Sequence, residues 1–342
     1  RSNEMEPLSL LARLSKDVRL TSRELSRDEA RGLVDMYYKL QHQRIALAGQ
    51  IRAINQGADE PETTNVLSFF QSQVETLENQ IRGALGEYAQ KFVAGRWAQS
   101  IVGIGPVISA GLLCHIDIER AKHAGQVWRY AGIAGPDVDV WLGQDGAKKL
   151  VAELEEMAGD DASDPEFLLN LAAAKTKRRV ETLRGWATKY GKNKLTRTGI
   201  INALARRPWN ADFKTLVTYK LGESFVKQQN REGAYYGQLY ARRKAAYMVA
   251  NDEGRFAERA AQILRTKNYS KDTDAYAALS KGKLPQAQLH AMARRIAAKM
   301  LLAHFHHVLY ETHYGHAPEK PWIIEHGGHV DYEAPPNWPM VE

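Results

Sequence analysis

Two apolar seams of heptad spacing, separated by a short run of turn formers, constrain this chain more than any other feature of its sequence. Leu33, Tyr37, Leu40, Arg44, Leu47, Ile51 and Ile54 follow one another at alternating steps of four and three, and all but Arg44 are apolar. That is the a/d stripe of a helix that packs along a partner helix. Asn55-Gln56-Gly57-Ala58-Asp59-Glu60-Pro61 is dense in turn formers. A second stripe then runs through Leu67, Phe70, Val74, Leu77, Ile81, Ala84 and Tyr88. The pair predicts an antiparallel hairpin of coiled-coil type over 25–96, usable as a dimerisation arm or a spacer. Arg44, at a seam position, predicts that one end of the pair stays partly wet. The polar residues 1–24 read as a lead-in.

The second helix is expected to continue to Trp97 and enter the turn Gly103-Ile104-Gly105-Pro106. A glycine pair permits a tight turn, and proline suits the first turn of the helix that follows. Two readings are open. The turn of a helix-hairpin-helix offers backbone amides to a nucleic-acid phosphate, through Gly103 and Gly105. The same turn can equally serve packing alone. Further helices are expected from Pro106 to about His115, from Asp117 and over Gln126–Ala131. Val138, Val140 and Trp141 alternate with acids and fit a short strand or extended turn. The segment 97–150 is thus a helix-hairpin-helix-like unit, and 151–174 reads as an acidic, loop-like insertion. No tandem repeat or low-complexity tract occurs, so the fold class is mainly α.

Charge is unevenly placed. The chain carries a formal +7, yet residues 166–320 hold 29 Lys and Arg against 12 Asp and Glu. Between Lys175 and Lys214 there are 12 basic residues and only Glu181 and Asp212 to oppose them. Trp186, Tyr190 and Trp209 lie among them. Basic side chains interleaved with aromatic rings suit phosphate neutralisation plus stacking on bases or sugars, although the tryptophans could equally anchor a core. The segment 175–317 is therefore the expected basic helical nucleic-acid-binding domain, with helices over 216–229, 234–265 and 286–314. Its expected contacts are Lys177, Arg178, Arg179, Arg184, Lys189, Lys192, Lys194, Arg197, Arg206, Arg207, Trp209 and Lys214. Arg242, Arg243, Lys244, Arg294, Arg295 and Lys299 form a second set. The proline-containing stretch 318–342 is expected to cross the surface as a strap.

Catalytic constellations are sparse. The acids of 152–166 lack the apolar strands that would hold carboxylates rigidly around magnesium. Seven of eleven histidines lie between His304 and His329, but no zinc-enzyme motif frames them, so packing and a metal or general-base role both stand. Ser224 follows Gly222-Glu223 with no assignable His–Asp pair. No phosphate loop or dinucleotide fingerprint occurs, so neither catalytic residues, a metal nor a cofactor is expected. A single cysteine, Cys114, precludes an internal disulfide. No apolar run approaches the ~20 residues of a membrane span. The polar start carries no secretory h-region. The expected setting is a reducing cytoplasm, that of a prokaryotic or phage-infected cell.

The block from Ile101 to Gly135 resembles the C-terminal region of Piv-type DNA invertases and insertion-sequence transposases. The shared elements are the Gly-Ile-Gly-Pro turn, an acid such as Asp117, the Gln126-Val127-Trp128-Arg129-Tyr130 segment and Ala131-Gly132-Ile133, all preceded by heptads. The chain departs from that group in two ways. It opens at the coiled coil rather than at a four-carboxylate RuvC-like domain. No serine nucleophile follows the Ala-Gly turn, where Gly135-Pro136-Asp137-Val138-Asp139-Val140-Trp141 stands instead. Its architecture also resembles a stand-alone Tas protein of tandem interspaced guide RNA systems, through Arg207-Pro208-Trp209-Asn210-Ala211, Gly222-Glu223-Ser224-Phe225 and His290-Ala291-Met292-Ala293-Arg294-Arg295. That resemblance implies a Nop-like RNA-binding domain after the coiled coil. It implies a small structured guide RNA as partner, target DNA reached by base pairing, and no nuclease. A homodimer through the coiled coil is expected. The alternative is a Piv-like recombinase, active or decayed.

Overall fold

A computed structural model describes residues 14–56, 65–135, 141–319 and 333–340. Among these residues every regular element is helical. In chain order the α-helices are α1 Lys16–Leu20, α2 Arg27–Asn55, α3 Asn65–Gln90, α4 Val93–Ser100, α5 Pro106–His115, α6 Ala124–Tyr130, α7 Gly143–Ala158 and α8 Pro165–Thr176. They continue with α9 Val180–Tyr190, α10 Arg197–Ala205, α11 Ala211–Thr215, α12 Gly222–Lys227, α13 Tyr235–Asp252, α14 Ala257–Thr266, α15 Asp274–Ser280 and α16 Gln286–Tyr314. The chain divides into two compact units. The first comprises Arg1–Val127 with Thr215–Glu342, and the second is Trp128–Lys214.

In the first unit α2 starts at a reciprocal cap. Ser26 Oγ accepts from the Glu29 N–H at 3.3 Å, and the Glu29 carboxylate accepts from the Ser26 N–H at 2.8 Å, which satisfies two otherwise orphaned donors. Arg23 meets Glu87 and Arg44 meets Glu78 across the pair, so α2 and α3 run antiparallel. As expected, Arg44 stays partly wet, its side chain 30% exposed. Its guanidinium donates to both Glu78 oxygens, at 2.7 and 3.3 Å, and Glu78 is buried. The ion pair holds Arg44 above its ordinary pKa, chiefly through those hydrogen bonds.

Beneath the hairpin lies α5, in which Val107, Ala110, Leu112, Leu113 and Cys114 are all buried. The helix expected to reach Trp97 breaks into α3 and α4, with Phe92 extended at the break. Asp117–Arg120 forms a turn rather than a helix start. The helix expected over 234–265 is likewise two, α13 and α14. Gly254 between them takes φ +76°, a left-handed conformation that ends a helix. The long α16 buries Leu289, Ala293, Ala297, Leu301, Phe305 and Val308. Of the expected strap, residues 333–340 lie on this unit, and 320–332 fall outside the described residues. Trp97 Nε1 donates to the Pro336 carbonyl at 2.8 Å, Asn337 Nδ2 donates to the Ser100 carbonyl at 3.2 Å, and Trp338 Nε1 donates to the Glu311 carboxylate at 2.9 Å. No helix of the described residues is long and apolar enough to cross a membrane.

The second unit has its own core, drawn from α7, α8, α9 and α10: Val151, Leu154, Leu168, Leu169, Leu183, Ile200 and Leu204 lie within it. The acidic stretch expected to be a loop is thus helical. The reason is readable in Ala147, Val151 and Leu154, which fall on one face of α7 at steps of four and three. Their acidic neighbours occupy the wet side. The acidic stretch and the start of the basic segment share this one core. The expected alternation around Val138 and Val140 lies outside the described residues.

Candidate nucleic-acid interface

The interface begins with an accounting problem at the end of α10. A helix leaves its last carbonyls without backbone partners. Arg178 Nη1 donates to the carbonyls of Ala203 and Leu204, at 3.2 and 3.1 Å, and Trp141 Nε1 donates to that of Ala205 at 2.8 Å. Arg178 is thereby fixed in the body of the unit. Desolvation lowers its pKa, and its charge complements the negative end of the helix dipole.

The chain leaves α10 extended at Arg206, with φ −61° and ψ 144°, on its way into Pro208. Two successive guanidiniums then reach two different indoles. Arg206 Cζ lies 3.3 Å from the Trp186 ring centroid, and Arg207 Cζ lies 5.0 Å from that of Trp141. Arg206 Nη1 also donates to Tyr190 Oη at 3.2 Å. On α9, Tyr190 stacks on Trp186, one turn earlier, with centroids 6.2 Å apart and planes 28° from parallel. Lys189 Nζ is 5.3 Å from the same indole.

On the other side, Trp209 meets Trp141 edge-on, 6.5 Å away at 72°, and carries Lys214 Nζ 3.6 Å from its centroid. Trp209 lies so close over Gly132, whose φ is +63°, that a Cβ there would come within 2.7 Å of it. Four aromatic rings and four cations, all from the second unit, therefore meet in two groups around the exit of α10. Cation–ring contacts of this kind contribute roughly 0.5–2 kcal/mol each, according to exposure.

The sequence expectations distribute unevenly over this surface. Lys189, Arg206, Arg207, Trp209 and Lys214 are brought together. Lys177, Arg179, Lys192 and Lys194 are exposed in the connections after α8 and α9. Two expected contacts are held by acids: Arg197 forks onto Glu155 at 2.5 and 2.8 Å, and Arg184 pairs with Glu166 at 2.8 Å. Arg184 and Lys189 also line a shallow groove of about 630 Å³ along α9, with Val180, Glu181, Gly185, Thr188 and Asn193. Trp141 was missed as a site residue. It lies between acids in a stretch that reads as a turn, and its partners are some 65 residues further along the chain.

The remaining expected residues belong to the first unit. Gly103 takes φ +100°, and its carbonyl accepts from Ser224 Oγ on α12. A Cβ there would crowd Ser224 and Gln228, at 3.2 and 3.4 Å. The glycine turn is thus packed on its Gly103 side, while Gly105 is exposed. The same hydrogen bond occupies Ser224. Arg242, Arg243 and Arg295 are exposed, and Lys244 and Lys299 half-buried. Arg294 is ion-paired with Glu223, and its pKa is lowered by burial. Among the histidines, His304 lies between the Tyr236 hydroxyl at 2.8 Å and the Glu333 carbonyl at 2.9 Å, and His306 meets the Ala121 carbonyl at 2.6 Å. Among the described residues no three His, Cys, Asp or Glu side chains form a group that could hold a metal; His326 and His329 lie outside them. No family model, curated protein or solved structure matches the chain.

Proposed function

We propose that the protein binds nucleic acid without cutting it. It assembles with a small structured guide RNA and is directed to DNA by that RNA's base pairing. The observation that carries this reading is the surface around Arg206 and Arg207, where four cations pack on paired aromatic rings inside the most basic stretch of the chain. In such a division of labour the protein needs backbone and shape contacts, and the RNA reads sequence.

The first test is purification without nuclease treatment, followed by sequencing of whatever RNA is retained. A discrete small RNA is the expected result, and a featureless mixture or none overturns the guide assignment. Neutralising Arg206 and Arg207 together as R206Q/R207Q will weaken RNA binding. It will also flatten the dependence of log K on log salt by about 1.5, the share of two phosphate contacts. An unchanged slope would place the phosphates elsewhere.

The assembly we propose is a dimer through the distal part of the α2–α3 hairpin. Among the described residues, none of α2 beyond Tyr37 and none of α3 before Glu78 is buried, while Ile45, Val66 and Phe70 are each more than half exposed. Residues 41–56 carry Arg44 and Arg52 and no acid, and residues 65–81 carry Glu75 and Glu78 and no base. Arg44 and Glu78 are paired within the hairpin, so Arg52 and Glu75 are the charges that would face a partner. A twofold axis would place the helix that carries Arg52 on the one that carries Glu75 in the other copy, and cover Ile45, Val66 and Phe70. Sedimentation equilibrium should report a dimer for the native chain and a monomer for I45E/F70E. A native monomer at tens of micromolar rules the arrangement out.

A further inference from the structure

We infer that the second unit selects unpaired bases, and that Trp141 and Tyr190 are the platforms on which those bases stack. The inference rests on the nucleic-acid reading above and adds to it the strandedness of the ligand.

Trp141 is 49% exposed and Tyr190 40% exposed. Neither ring is loose. The indole N–H of Trp141 is spent on the Ala205 carbonyl at 2.8 Å, and the ring packs against Trp209 with planes 72° apart. Tyr190 is stacked on Trp186, and its hydroxyl accepts from Arg206. Two large rings are thus held in fixed positions with much of their surface in water. A rigid ring stacks on a base with little further loss of side-chain freedom.

The chemistry of Trp141 decides between single strand and duplex. An indole has one hydrogen-bonding group, a donor, and here it is committed within the unit. Trp141 therefore has nothing with which to read the edge of a base pair in a groove. What it still offers is π-surface: the residue is 49% exposed with Arg207 over its ring. In a duplex the faces of the bases are covered by their neighbours, and groove edges carry the readout. In a loop, a bulge or a single strand the faces are open, and aromatic stacking is the usual means of holding them. The cations are placed to match. Arg207 lies over the Trp141 ring, and Arg206 and Lys189 lie over the Trp186 ring on which Tyr190 stacks. Each platform thus has a positive charge for the phosphate that accompanies its base. An acidic peptide would need the cations but gives no role to two exposed, immobilised rings.

The test uses the full chain and two labelled probes at one salt concentration, a 20-nucleotide oligouridylate and a blunt 20-base-pair duplex of mixed sequence, followed by fluorescence anisotropy. W141A is expected to weaken oligouridylate binding about 10- to 100-fold, within the range for the loss of one stacked base, and to change duplex binding less than twofold. Trp141 also closes the end of α10, so W141F is measured beside it. Phenylalanine keeps a stacking face and loses the N–H, and it should retain oligouridylate affinity within about fivefold.

Equal losses for both probes with W141A would overturn the inference and leave nucleic-acid binding standing, as a backbone site. Loss with W141F as deep as with W141A would also overturn it, because the residue then acts by capping α10. Competition by polyglutamate as effective as by unlabelled oligouridylate would identify a peptide site instead. If the native chain binds neither probe, the nucleic-acid reading itself fails.

Discussion

Trp97→Ala will lower the stability of the first unit by about 3–5 kcal/mol, the usual cost of emptying a large aromatic site in a core. Trp97 has no exposed surface. Its ring meets Phe305 of α16 at 6.2 Å, and its N–H closes on the Pro336 carbonyl. Alanine there leaves a cavity between α4 and α16 and frees the strap residue from its donor. The neighbouring bonds from Asn337 to Ser100 and from Trp338 to Glu311 then hold 333–340 with one anchor fewer. Trp97→Phe separates the two contributions. It keeps most of the packing, loses the donor and should cost about 1–3 kcal/mol, the penalty of an orphaned carbonyl plus a small void. With domain stabilities of roughly 5–15 kcal/mol, the alanine variant stands near the threshold of folding. Guanidinium unfolding followed by circular dichroism gives both numbers. A W97A midpoint equal to the native one would mean that the strap and the α4–α16 contact contribute nothing.

The helical class, the two long helices α2 and α3, α5 and α16 were all legible, because each depends on spacing within one segment. Heptads, a proline at the first turn and a periodic apolar face are local signals. The breaks were not. Phe92 and Gly254 interrupt runs whose apolar pattern continues across them, so periodicity alone reads one helix where there are two. The acidic stretch was misread for a related reason. Its charges are dense, but Val151 and Leu154 still mark one buried side, and a buried side decides structure more than a charged one.

At the interface, composition found the right segment and could not rank its members. Lys189, Arg206 and Arg207 lie beside aromatic rings, whereas Arg178 is consumed by carbonyls of α10 and Arg197 by Glu155. Those partners lie 25–26 and 42 residues away in the chain, a distance at which sequence carries no pairing signal. Arg44 shows the same limit from the other side. Its place in an apolar seam predicts a partly wet end, which the structure bears out, but gives no sign of its buried partner Glu78, 34 residues further on.

The first unit will lose stability steeply as the pH falls from about 6.5 to about 4, because it keeps histidines in places where they cannot be charged. Burial pushes His115 down to about 4, assisted by the positive charges of Arg31 and Arg27. His304 is likewise pushed down to about 4 by burial, against the Glu333 carbonyl, which favours the protonated ring. Burial lowers His306 as well. In the unfolded chain these rings titrate near 6.5.

Above that pH both states hold them neutral, and nothing depends on the proton. Below it the unfolded chain binds protons that the folded chain refuses, so stability falls with pH until the folded-state values near 4 are reached. At pH 5 the penalty is about 2 kcal/mol for each of His115 and His304. Together that is a large fraction of the stability of an ordinary domain. The carboxylates act lower. Glu29 and Glu155 are held below their usual range by hydrogen bonds to Ser26 and Arg197, so their contributions disappear only as the pH falls through 4.5 and beyond.

Urea midpoints at pH 7.5 and pH 5.0 therefore measure the histidines nearly alone. The native chain should lose about 4 kcal/mol or more between the two. H304Q keeps an amide donor for Glu333 and cannot titrate, so it should take up close to one proton fewer on unfolding at pH 5 and lose correspondingly less. Equal stability of the native chain at the two pH values would require these rings to be charged in the fold. The hydrogen bonds would then have to reverse: the Tyr236 hydroxyl, which now donates to His304 Nδ1, would have to accept from it.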